Sequence, residues 1–306
     1  MRHSFTLVAD QCKVMLLIKF KYKNKKDTTR LGKEVQILLE QLFSADWIER
    51  RPKYAFILGF CYAIIGIASS VFIFRSNSGM MAIAFTSLLI LPTLNKMLMI
   101  EESQAASHTG INLRQIFKDH QDIIEIFVFL FIGIFLVFAI MSFISPQLFT
   151  LQIFKPQLAV AGISGQAHEF LHFKSIVVNN LLVLVVCFIL SFAYGGGSIV
   201  FITWNASVWG SVFGLRARQA VLAPDPLSSF VLFMLPVLPH MITEATSYFS
   251  AAVAGGVLSR AALCEKFGSR GFMNILVDSF VFLVAGFLLV VTAAFLEIYI
   301  FPFLRG

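Results

Sequence analysis

The chain has 306 residues, 58% of them hydrophobic and 13% charged, with a net charge of +7 and a mean hydropathy of +0.82. A soluble domain carries roughly 25% charged residues, so this chain lacks the polar surface to stand in water. Its apolar runs reach spanning length and lack the period-2 alternation of a membrane barrel, which points to an all-α, polytopic membrane protein.

In chain order, residues 1–53 form a basic arm and residues 54–306 a single transmembrane domain. The arm holds 12 of the 24 Lys and Arg residues, including Lys19, Lys21, Lys23, Lys25 and Lys26. Beside a span, such a bias places the N-terminus in the cytoplasm and attracts anionic lipid headgroups. It is read as a topological signal, and nucleic acid is not an expected partner. Within the arm, Leu31, Val35, Leu38, Leu42 and Phe43 share a helical face, so Leu31–Glu49 is expected as an amphipathic helix on the membrane surface. A partner-binding helix is the other reading. Trp47 and the cations of Glu49-Arg50-Arg51-Pro52-Lys53 suit an interfacial anchor. No cleavable signal peptide is expected, because some fifty residues precede the first apolar run.

Spans are expected at Tyr54–Phe74, Met81–Met99, Ile123–Phe143, Val177–Gly197, Val237–Ser259 and Ile275–Phe301. The loop Ile100–Asp122 is mixed in charge and expected to be cytoplasmic and partly helical. Ile144–Ile176 follows on the outer face. Cys12, Cys61, Cys187 and Cys264 are widely separated and read as packing thiols. Inside the outer loop, His168-Glu169-Phe170-Leu171-His172 matches H-E-x-x-H, in which two His on one helical face bind zinc and the Glu acts as general base. No third ligand stands at a recognisable spacing, and a chance match on an interfacial helix is the plainer reading.

Val177 to Leu215 would be about 58 Å long as one helix, against a hydrocarbon core of about 30 Å, so it must break. Gly195-Gly196-Gly197 is the expected break. Ser198–Gly214 then either spans or dips in and returns. Six or seven spans leave equal numbers of cations on the disfavoured side, so the number of spans and the side of the C-terminus stay open.

Polar residues gather in this second half. His240 and Glu244 share one helical face, and Asn179, Asn180, Trp204 and Asn205 interrupt neighbouring apolar segments. Stranding such groups in hydrocarbon costs several kcal/mol, so they are expected to meet in one polar core. The plain reading of that core is interhelical glue; the sharper one is a proton- or ligand-handling site. Ala251, Gly255 and Ser259, spaced by four, read as a close-packing face. Asp278 and Glu297, near the ends of the last span, read as interfacial.

Asn179-Asn180-Leu181, Gly195-Gly196-Gly197, Trp204-Asn205-Ala206 and Gly210 resemble one hallmark of the stage II sporulation protein M family. Leu238-Pro239-His240, Glu244 and the small-residue run Ala251–Gly256 resemble the other. The resemblance covers Val177–Arg260; Met241 departs from a Gly found in many relatives, and Ser44–Glu49 looks like archaeal members. H-E-x-x-H is no part of either hallmark. The resemblance implies a non-enzymatic membrane scaffold or assembly component in the cell membrane, with a permease-like transporter of a small solute or lipid as the alternative and a zinc protease third. It implies no cofactor. The expected partners are membrane lipids, other membrane or envelope proteins, and a second copy of the chain.

Overall fold

In a computed structural model, residues 51–74, 77–105, 113–160 and 173–300 are described. Residues 1–50 of the basic arm, where an amphipathic helix is expected, and the H-E-x-x-H stretch lie outside them. Among the described residues the chain is helical, with no strand. The order is α1 (Tyr54–Ile73), α2 (Ser78–Ala105), α3 (Leu113–Asp119), α4 (Gln121–Ile144), α5 (Gln147–Ile153) and α6 (Lys155–Val160). Then follow α7 (Phe173–Tyr194), α8 (Ile199–Val221), α9 (Pro226–Cys264) and α10 (Arg270–Phe295), which ends in a π turn at Leu296–Ile300.

Six helices, α1, α2, α4, α7, α9 and α10, are long and apolar enough to cross a membrane. Their apolar residues run all round the helix, as a lipid-facing surface requires. Phe72, Leu88, Phe280 and Leu288 stand outward while Leu58, Ile90, Phe127 and Phe282 fill the interior. The protein is therefore a multi-pass membrane protein.

α8 falls short on apolarity, yet it makes the same journey. It runs parallel to α4: Gly210 faces Phe135 and Phe138, Gly214 faces Ala139 and Ser142, and Arg218 donates to the carbonyl of Ser145 just past the end of α4. Its 23 residues extend about 34 Å. The segment left open between a dip and a full pass is thus a continuous helix enclosed by its neighbours. Enclosure explains its composition, because Thr203, Ser207 and Ser211 touch protein rather than lipid.

Directions alternate along the chain. α2 returns beside α1 with Thr86 on Gly66, and α4 starts where α2 ends, with His120 on Glu101, so α4 runs in the direction of α1 and touches it where Gly59 meets Leu130 and Gly133 meets Phe56 and Phe60. α7 and α9 are parallel, and α10 runs back along α9, where Ser279 donates to the Ala254 carbonyl at 3.0 Å. Among the described residues, seven long helices run the length of one bundle, six of them apolar enough to cross a membrane. The end where α1 begins is called basal below, and the opposite end distal.

The expected break falls at Gly195, whose φ of 66° is the left-handed conformation that glycine adopts without penalty. Asn95 of α2 secures it, accepting from the Gly196 N–H at 2.7 Å. α9 begins at Pro226, eleven residues before the expected span, and its 39 residues carry Pro236 and Pro239 in the interior. Asp225 caps it by accepting from the Ser228 N–H at 3.3 Å. Cys61 and Cys187 are free thiols, but Cys264 is disulfide-bonded, so the reading of all four cysteines as packing thiols does not hold for it.

Candidate intramembrane polar site

α7 and α9 meet through side chains that a bilayer would not tolerate alone. Glu244 sits one turn before Tyr248 on α9, so the two share a face, and the Tyr248 hydroxyl donates to Glu244 Oε1 at 2.7 Å. The same hydroxyl lies 3.4 Å from Asn180 Oδ1 across the interface with α7. Asn179 Nδ2 donates to Asn180 Oδ1 at 3.3 Å from the lipid-facing side. Glu297, on the π turn after α10, lies within electrostatic reach of Glu244. α7 and α9 thus meet at one carboxylate, roughly midway along the bundle.

His240 stands one turn toward the distal end and looks elsewhere. It is 7% exposed, its ring meets Trp209 of α8 edge-on at 5.5 Å, and it has a hydrogen bond to the Pro236 backbone. Asn205 donates to the Phe201 carbonyl of its own helix at 2.9 Å, and Trp204 packs against the main apolar core. Of the six residues expected in one core, Asn179, Asn180 and Glu244 come together. His240 instead meets Trp209 at the junction of α9 with α8, while Asn205 bonds within α8 and Trp204 packs on the apolar core. Tyr248 went unread in the sequence, although its spacing of four from Glu244 is itself a shared-face signal.

A second polar cluster lies at the basal end of the bundle, centred on His120, which precedes the span Gln121–Ile144. His120 occupies the corner between α3 and α4. Its Nδ1 pairs with Glu101 Oε1 of α2 at 2.6 Å, and its Nε2 faces Asp278 Oδ2 of α10 at 3.4 Å. All three are buried, and the Phe282 ring meets the imidazole edge-on at 5.2 Å. Burial alone would lower the His120 pKa from its ordinary 6.5, but hydrogen bonds to Asp278 and Glu101 and their charges outweigh it and raise it to about 9. The two carboxylates therefore favour the imidazolium form of the ring. Asp278, read in the sequence as lying near the end of the last span, faces inward onto His120.

Neither cluster is arranged as a metal centre. Among the described residues no group of three or more His, Cys, Asp and Glu could hold a metal ion, and both His120 nitrogens already face carboxylates. What the mid-bundle site can do chemically is accept and share protons, or join helices through hydrogen bonds.

No curated protein and no solved structure matches the chain. A family model described as stage II sporulation protein M matches residues 123–302, which takes in α4 to α10 with the Asn180–Glu244–Tyr248 junction. The chain belongs to the stage II sporulation protein M family.

Proposed function

We propose that the protein is a non-enzymatic membrane scaffold, a multi-pass component that holds partner membrane or envelope proteins and is braced inside by the Asn180–Glu244–Tyr248 junction. The observation that carries this reading is the closeness of the helix backbones. Gly133 abuts the Phe56 carbonyl, Gly214 the Ala139 carbonyl and Gly255 the Phe188 carbonyl, each with no room for a methyl group. Alternating access needs one group of helices to rock against another. Backbones locked at glycine distance along three interfaces oppose such motion.

In the same reading the protein sits in the cell membrane with its basal end toward the cytoplasm. Twelve cations precede α1, and Lys96, Arg114, Lys118, Arg260, Lys266 and Arg270 belong to the same end by position in the path. A second reading, permease-like passage of a small solute or lipid, draws on Glu244 and Glu297, because intramembrane carboxylates often mark proton relays. The scaffold is tested by cross-linking in native membranes followed by purification of the full chain. We expect a complex of fixed stoichiometry that is unchanged by Glu244→Gln. Recovery of the chain alone at every cross-linker concentration would remove the scaffold reading.

A further inference from the structure

At the distal end, the last two turns of α8 and the first three turns of α9 diverge around an open cavity of about 490 Å³. That volume is within the range of small-ligand sites, roughly 300–1,000 Å³. Its lining is divided. Arg216, Gln219 and Ser229 supply polar atoms, and Leu232, Phe233 and Pro236 supply apolar walls.

The depth of the cavity is set by the register of α8. Arg218 reaches the carbonyl of Ser145, the residue that ends α4. Arg216, two residues earlier, therefore lies at the level where an apolar helix meets the headgroup region. Around it, Leu222, Leu227 and Leu232 stand 86%, 73% and 66% exposed, as side chains bathed by acyl chains can be.

Arg216 is held but not consumed. Its guanidinium lies over the Phe233 ring at 5.4 Å and donates to Gln219 Oε1 at 3.3 Å. A guanidinium has five N–H donors in a fixed fork suited to phosphate oxygens. Asp225, the acid of the α8–α9 turn, caps α9 and is not among the lining residues.

We propose that this cavity binds an anionic phospholipid, with Arg216 on the headgroup phosphate, Gln219 and Ser229 on the polar headgroup, and the first acyl carbons against Leu232, Phe233 and Pro236. A free phosphate would satisfy Arg216 but would leave the apolar walls bare. A zwitterionic lipid would bring a cation back toward Arg216.

The full chain in detergent, exchanged into micelles with dioctanoyl phosphatidylglycerol or dioctanoyl phosphatidylcholine, tests this by native mass spectrometry. One phosphatidylglycerol should bind about tenfold tighter than phosphatidylcholine, in keeping with a charged hydrogen bond. Arg216→Gln should abolish that preference and Arg216→Lys should keep most of it. Leu232→Trp, at an exposed position that leaves the helix contacts intact, should weaken both lipids by filling the cavity. Equal binding of the two lipids by the unmodified chain would overturn the proposal. So would an unchanged preference in Arg216→Gln, or displacement of phosphatidylglycerol by 10 mM inorganic phosphate, about the level at which a bare anion site would fill.

Discussion

His120 shows how a single side chain ties three helices. The folded protein raises its pKa above the ordinary 6.5 to about 9 through Asp278 and Glu101, so folding is linked to proton uptake there. The stabilisation is fully present below about pH 6.5 and is lost as pH rises through about 9. We expect the unfolding temperature in detergent to fall between pH 7 and pH 10, and His120→Gln to flatten that slope. A slope equal in both proteins would contradict the pairing. At the mid-bundle site, Tyr248→Phe removes the donor to Glu244 and the contact with Asn180. Leaving a buried acceptor unsatisfied costs about 1–3 kcal/mol, so this variant should unfold at a lower temperature, while Glu244→Gln, which keeps an acceptor oxygen, should lose less. Glu244 was legible in the sequence because an acid in an apolar run announces itself. The His120 cluster was not, since its partners lie 19 and 158 positions away along the chain and no local pattern joins them.

Among the elements, run length and apolarity exposed the six helices able to cross a membrane, because lipid contact demands apolar residues all round. α8 hid from that criterion for a physical reason: a helix enclosed by α4, α9 and α2 can carry Ser, Thr, Trp and Arg, so its span looks marginal when read alone. Gly195–Gly197 did mark its start, since the reversal there needs a left-handed residue. The length of α9 was also understated, as its first turns carry Pro226, Ser228 and Ser229 and read as a loop. The tight interfaces give the element-scale expectation. Gly214→Val would drive a branched side chain into the Ala139 backbone, and overpacking of this kind costs about 1–3 kcal/mol, occasionally more. Ile132→Val, on the lipid-facing side of the same pair of helices at 43% exposure, should change stability by no more than about 0.5 kcal/mol. Equal unfolding temperatures for the two variants would mean that α4 and α8 do not meet at glycine distance.

For the whole molecule, we propose that α8 is a seventh crossing beside the six apolar helices, which would put the N- and C-termini on opposite sides of the membrane. Epitope tags at the N- and C-termini, challenged with protease outside intact cells, should show the N-terminal tag protected and the C-terminal tag cleaved. The same fate for both would mean that α8 does not cross. Function turns on whether this bundle is a fixed frame or a pathway, and the Glu244 junction is where the two accounts part. The most direct measurement is ion flux in sealed vesicles containing the purified full chain, read with an internal pH dye under an imposed proton gradient. A fixed frame gives the slow decay of empty vesicles for both the unmodified chain and Glu244→Gln. A flux carried by the unmodified chain and abolished by Glu244→Gln would contradict the scaffold and make the junction part of a transport path.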